Sequence, residues 1–364
     1  MNKDKINCLQ FASMMSMILI ASFLGIGMFS VIKSAGVDAY ISIIIAAIAG
    51  IFIMLSFFVI YDYKPELNVA EKFKNIFGKP LGTILNYLCL AIILFMGISA
   101  MFNLTTFITS QFLKSTPPFL IGLCFCFLVI LINIKGIETL SRTCLVLFSL
   151  CVILFLISVM GLFPEFDASN LKPYLEYGFK RPLLGAIYNF LFNLMPIYLL
   201  LIVPKDKLVK SENYRKYMWI FYILSVLFKL ILVIITLGVL GIHLASMYQY
   251  PEYMVLKRIQ IFNFIDRIEN VITIQWLFGL FFNISFVVYY IANSIKPSHK
   301  SKLLPIIITV LIFLGSIYLF KNSTQFNDFT YNKVPYMRAI LLFIYILLFI
   351  GVLIKRKINK KITS

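Results

Sequence analysis

Histidine is almost missing from this sequence of 364 residues: only His243 and His299 occur, far apart in the chain. Such sparse histidine leaves no metal cluster to build. Cysteine is scarce too, and Cys8, Cys89, Cys124, Cys126, Cys144 and Cys151 fall almost wholly within apolar runs. Cys124 and Cys126, two apart on a helix, point to different faces and suit neither a disulfide nor a metal. All six are expected as buried packing residues. Charged residues make up only 13% of the chain, against 61% hydrophobic, with a mean hydropathy of +0.94. That balance excludes a soluble globular domain. Acidic residues are the scarcest charge, 15 against 33 basic, and none occupies the middle of an apolar run. A carboxylate proton relay is disfavoured. No hydrolase, kinase or metal constellation is present, so the chain is read as a non-enzyme with no cofactor.

What is present is length of hydrophobic run. Several runs reach the ~20 residues that a spanning helix needs. The first, Phe11 to Ile32, is too long for a signal-peptide core and is followed by no small-residue cleavage site, so it is kept as a span. Ten spans are expected, near 11–33, 37–61, 81–110, 118–134, 140–163, 183–203, 217–243, 270–295, 303–320 and 336–354. With both termini inside, the inner segments hold 21 Lys/Arg and 7 Asp/Glu, and the outer segments 11 and 8. Lys229, inside a span, completes the 33. That bias is the positive-inside rule. It explains the net charge of +18 as attraction to the inner leaflet of a lipid bilayer and argues against nucleic acid. Between spans two and three, Val69 to Phe77 is apolar at helical spacing with lysines opposite, and is expected to lie on the inner surface.

Two spans are interrupted. In span one, Ser22-Phe23-Leu24-Gly25-Ile26-Gly27-Met28-Phe29-Ser30 places two glycines where a helix should be most regular; each costs roughly 1 kcal/mol relative to alanine. Span six carries Asn189-Phe190-Leu191-Phe192-Asn193-Leu194-Met195-Pro196, with a proline that removes a backbone bond. Close packing through small residues is one reading of the glycines; an unwound, ligand-facing segment is the other. Spans one to five and six to ten form halves of opposite orientation, so spans one and six correspond. Paired interruptions point to a midplane binding site in an inverted-repeat transporter. The expected architecture is therefore an all-α membrane protein of ten helices in a 5+5 inverted repeat, of amino-acid-permease type, with helices 1 and 6 discontinuous. It forms one membrane domain over 1–364, with repeats near 11–163 and 183–355 and a basic tail, 355–364.

Candidate ligand-binding residues follow. Gly25, Ile26 and Gly27 would offer backbone N–H groups at a half-helix N-terminus, suited to a carboxylate. Ser22 and Ser30 add hydroxyls, unless they bond back to their own helix, the simpler reading for Ser30. Phe192, Asn193, Met195 and Pro196 are expected to form the side-chain pocket, with Asn193 either a ligand contact or an interhelical hydrogen bond. Asn103 and Asn283 are further candidates. Lys229 lies about twelve residues from either end of span seven, roughly 18 Å, too far to snorkel. It is a candidate for ion or proton coupling, or else pairs with a carbonyl or tyrosine inside the bundle.

The stretch Tyr250-Pro251-Glu252-Tyr253-Met254-Val255-Leu256-Lys257-Arg258-Ile259, then Phe264-Ile265-Asp266-Arg267-Ile268-Glu269 and Trp276, resembles the outer loop of spore-germination permeases. These are the B subunits of nutrient-germinant receptors in endospore-forming bacteria, within the amino acid-polyamine-organocation superfamily. The Gly25-Ile26-Gly27-Met28 break is similar as well. The resemblance implies a protein of the spore inner membrane that binds a small germinant, often an amino acid, and signals to an A subunit and a lipoprotein C subunit. Tyr250, Pro251, Arg258, Arg267 and Glu269 would then form a lid or a partner contact; from composition alone the loop reads as solvated. Asn193-Leu194-Met195-Pro196 departs from the glycine-rich break with a following acid that many permeases carry. The alternatives are a proton- or sodium-coupled amino acid or amine transporter of the same fold, and a passive channel.

Overall fold

The computed structural model describes residues 5–176, 178–259, 268–296 and 302–363. Asp266, Arg267 and Tyr177 lie outside them, as do the side chains of Ile26 and Glu269. Fourteen α-helices occur among the described residues. The first is α1, Cys8–Ala21, started by a capping box: Asn7 Oδ1 accepts from the Gln10 N–H at 2.7 Å and Gln10 Oε1 from the Asn7 N–H at 2.9 Å. Every residue from Phe11 to Ala21 in α1 is buried, so this helix is the axis of the bundle. After the break come α2, Ile26–Ala35, and α3, Ala39–Tyr61. The surface helix α4, Val69–Phe77, forms where its periodicity places it, capped by Asn68 and Glu71. Then follow α5, Lys79–Gln111, α6, Pro118–Lys135, and α7, Ile137–Leu162.

The second half begins with α8, Lys180–Asn189, which runs into a π-turn at Phe190–Leu194 and a 3₁₀ segment at Met195–Ile202. It continues as α9, Tyr214–Met247, α10, Pro251–Leu256, α11, Ile268–Ile295, and α12, Leu303–Tyr318. Last are α13, Ser323–Asn332, and α14, Val334–Thr363. A short parallel pairing of Ile6–Asn7 with Leu208–Val209 ties the N-terminal segment to the α8–α9 connection. Helix α1 packs against α7, α9 and α11, and α2 against α8, bringing the two interrupted segments into one core.

Among the described residues eight helices are long and apolar enough to cross a membrane, or nine if α12 and α13, bent by 109°, form one span. The expected count of ten is not reached on this measure. The first span is divided into pieces of 14 and 10 residues, each too short alone. Three local expectations need correction. Lys72 is not on the polar face of α4: it is fully buried, its Nζ donating to the Ile60 and Tyr61 carbonyls at 2.9 and 3.2 Å at the end of α3. Burial pulls that ammonium down to about 8. Cys124 is exposed on the outer face of the bundle, while the other five cysteines are buried; all six are free thiols. Helix α13, too polar to read as a span, was not expected.

Candidate ligand site between two broken helices

The first break is built by Gly25. Its φ of +78° and ψ of −121° lie where a side chain is strained, and the chain turns there between α1 and α2. Before it, the amides of Ser22 and Leu24 bond back to the Ile18 and Ile20 carbonyls, both at 3.1 Å. No room exists for a Cβ at Gly25: it would lie 2.9 Å from Trp276 Cζ2 and 3.0 Å from Asn103 Nδ2. At Gly27 it would meet the Ser22 carbonyl and, at 2.8 Å, Asn193 Oδ1. The two interruptions therefore face each other at contact distance.

The second break follows from Pro196. Lacking an N–H, it leaves the Phe192 carbonyl four residues earlier without its helical donor. Arg338 of α14 supplies the replacement: its Nη1 donates to the Phe192 carbonyl and, at 3.4 Å, to that of Leu191, with the guanidinium 4.6 Å from the Phe192 ring centroid. Asn193 is fully buried; its Nδ2 donates to Asn189 Oδ1 at 2.8 Å, and its Oδ1 has no partner among the described residues.

Between the breaks lies a cavity of about 70 Å³. Ser22, Gly27, Asn103, Phe192 and Asn283, each a candidate from the sequence, line it together. Gly25, Asn193, Met195 and Pro196, also candidates, do not line it; Met195 and Pro196 are buried in the 3₁₀ segment, so Pro196 shapes the site without lining it. Ser22 Oγ donates back to the Leu19 carbonyl at 3.2 Å. Ser30 departs from expectation, since its buried hydroxyl has no partner. Lys229 is fully buried on α9, its Nζ 6.0 Å from the Phe23 ring centroid in the break and without a hydrogen-bond partner. Among the described residues, neither a carbonyl nor a tyrosine partners it.

The largest revision concerns the Tyr250 loop. Tyr250 to Leu256 does not stay in the outer loop: α10 folds back into the bundle with Tyr250, Pro251, Glu252 and Tyr253 buried, while Arg258 is exposed, as a solvated charge would be. Glu252 Oε1 accepts the Gly25 N–H at 2.6 Å. The amide expected to receive a ligand carboxylate is thus taken by the chain's own. Tyr250 Oη donates to Asn103 Oδ1 at 3.2 Å, and the Phe107 and Trp276 rings lie 3.9 Å apart beneath it. Burial raises the Glu252 carboxyl to about 7, against the opposing bonds from its own amide and that of Gly25. Its Oε2, with Gln275 Oε1, is a buried acceptor without a partner beside a second cavity of about 30 Å³.

Sequence reasoning missed Glu252 and Arg338 as site residues. An acid just after a proline in a short connection reads as a helix-start residue, and Arg338, near the start of an apolar run, reads as a flanking charge. Ser99 and Thr330, also at the cavity with unpartnered hydroxyls, carried no signal.

Two interrupted helices facing one central cavity in a buried-axis bundle define a membrane protein of the transporter type. Solved structures agree on the fold. The chain aligns over 93% of its length with 78% of a Na⁺-coupled sialic acid symporter, at a TM-score of 0.64 and 12% identity. It aligns over 95% of its length with 78% of the Eremococcus coleocola manganese transporter, at 0.63 and 14%. The fold is that of the LeuT-type transporters. A family profile described as "Spore germination protein" matches residues 5–327, and the chain belongs to that family. Relatives include spore germination protein XB of Bacillus anthracis, 25% identical over 76% of this chain and 77% of that one. Spore germination protein A2 of Bacillus subtilis is 24% identical over 89% and 88%. Spore germination protein KB of the same species is 23% identical over 74% and 72%. The chain is thus a germination-related, permease-like integral membrane protein, of a family and fold that are not those of enzymes.

Proposed function

We propose that the chain is the germinant-sensing subunit of a spore nutrient receptor. It binds a small molecule, an amino acid by preference, in the cavity between the breaks and signals to the A and lipoprotein C subunits that the family resemblance implies. Its place would be the spore inner membrane, with both termini inside and the two halves of the chain forming inverted repeats. The observation that carries the reading is the convergence of Ser22, Gly27, Asn103, Phe192 and Asn283, from four separate helical segments, on one cavity. Helix α10, bonded to the break itself through Glu252, is the element through which occupancy of the cavity is passed on.

The test is a labelled amino-acid panel on the purified full-length chain in proteoliposomes, scoring binding and accumulation separately. Saturable binding without accumulation is the expected result. Accumulation driven by a proton or Na⁺ gradient makes the chain a coupled carrier and overturns the sensor reading. Absence of both overturns the cavity as a site that this chain forms alone.

A further inference from the structure

Among the described residues, the cavity between the breaks has a cation in its wall and no anion. Arg338 is 9% exposed and lines the cavity, together with Ser99, Asn103, Asn283 and Thr330 among its polar residues. Among the described residues no acidic side chain lines it. The three ion pairs among the described residues involve Arg142, Lys205 and Arg215, never Arg338. One nitrogen of the guanidinium, Nη1, is used in holding the carbonyls freed by Pro196. Its Nε is buried without a partner among the described residues. A buried guanidinium is costly unless a counter-charge meets it. Its planar fork suits a carboxylate, which accepts two parallel N–H bonds.

The other place for a carboxylate, the Gly25 amide at the start of α2, already holds Glu252 Oε1 at 2.6 Å. Within the cavity itself the cation available to a ligand acid is therefore Arg338. We propose that Arg338 is the carboxylate anchor of this cavity, and that the ligand is a small organic acid bound by ion pair and hydrogen bond to its guanidinium. The volume of about 70 Å³ sets the scale. At roughly 10–15 Å³ per water-sized sphere, it takes a ligand of about half a dozen heavy atoms. An amino acid with a short side chain fits, its ammonium meeting the carbonyl oxygen of Asn283 or the Ser99 and Thr330 hydroxyls. This inference rests on the reading of the cavity as the ligand site and adds to it the ligand's charge and the residue that selects it.

The experiment uses the full chain in proteoliposomes and three matched sets of probes: amino acids with short side chains, their primary amides, and the corresponding amines without carboxylate. Wild type should prefer the acids over both other sets by at least about thirtyfold, the scale of a buried charge pair left without one partner. In R338Q that preference should collapse, the acids weakening to the level of the amides, while R338K retains part of it. Since R338Q also gives up the contacts to Leu191 and Phe192, a wild-type measurement stands beside it. Propionate should displace a bound amino acid and propylamine should not. Equal binding of acids and amides by wild type, or an acid preference that survives in R338Q, overturns the anchor and leaves the cavity as the binding site. Failure of every probe to bind wild type overturns the cavity itself, and the anchor with it.

Discussion

The side chain of Glu252 accepts the main-chain N–H of Gly25 at 2.6 Å, joining residues 227 apart in the chain. An acid from the α9–α11 connection caps the helix that restarts after the first break, with one oxygen bonded and the other buried without a partner. A helix N-terminus favours an anion, and here the anion is internal. Docking of α10 and the geometry of the break are therefore one structural event.

The first prediction follows from that carboxyl. Exposed, it would titrate near the ordinary value of 4.5; docked and buried it titrates at about 7. The docked state binds the proton more tightly, so protonation favours docking. That contribution is complete below pH 4.5 and is lost as pH rises through about 7. Tyr253 on α10 and Tyr250 just before it are the neighbouring titratable side chains, and among the described residues no charged side chain other than Glu252 lines the cavity beneath. Trp276, whose ring lies 5.2 Å from that of Tyr250, is a reporter. In a Trp219→Phe background its emission should shift across pH 7, and Glu252→Gln should abolish the shift. A shift that persists in Glu252→Gln removes Glu252 as its source.

Gly25 gives the second prediction. Its φ of +78° strains any side chain, and Trp276 and Asn103 leave no room for a Cβ. Gly25→Ala should lower stability by about 1–3 kcal/mol, the range for a strained backbone position, seen as a lower melting temperature in detergent. Gly25→Leu should abolish ligand binding while membrane insertion stays normal. A fully responsive Gly25→Leu protein would sink the site.

What was legible in the sequence, and what was not, divides along the range of the forces involved. Hydrophobic runs report spans because the bilayer acts on each segment alone, and Gly25, Gly27 and Pro196 report breaks because backbone propensity is local. Pairing the breaks points to Ser22 and Phe192, whereas Asn103 and Asn283 stand only as polar residues within other spans, with nothing in the sequence to bring them to the same cavity. Glu252 could not be anticipated: six residues of α10 carry too little pattern to show that they fold into the bundle, and their partner is 227 positions away. Lys72 hides in the same manner, since its lysine looks solvated until the end of α3 is placed over it. Arg338 is the instructive case, for the proline that exposes the carbonyl and the arginine that takes it lie on different helices.

The third prediction concerns the far end of α3. Asp62 receives the Lys205 ammonium at 2.7 Å, the Tyr214 hydroxyl at 2.8 Å and the Arg215 guanidinium. Burial alone would raise its carboxyl, but these three donors outweigh that and hold it below the usual value. Arg215 is 58% exposed and adds little through charge. Asp62→Asn should cost roughly 1–3 kcal/mol, mainly through the weakened bonds to Lys205 and Tyr214. Thermal unfolding should show the loss at neutral pH and its disappearance once acid protonates wild-type Asp62.

Lys229 separates structure from function more sharply. A buried ammonium with no hydrogen-bond partner works against the stability of the bundle, and an apolar side chain of similar length should not. Lys229→Met should therefore melt at or above the wild-type temperature. If the lysine serves the break, where Phe23 lies within 6.0 Å, the same variant should lose at least about tenfold in ligand affinity or response. Binding measured with and without Na⁺ completes the test. A fixed positive charge standing in for a coupling cation makes wild type insensitive to Na⁺. Removing that charge in Lys229→Met should leave binding weak, with any recovery appearing only as Na⁺ is raised. A variant that unfolds would instead assign Lys229 to the scaffold, and one that binds like wild type would remove it from the site.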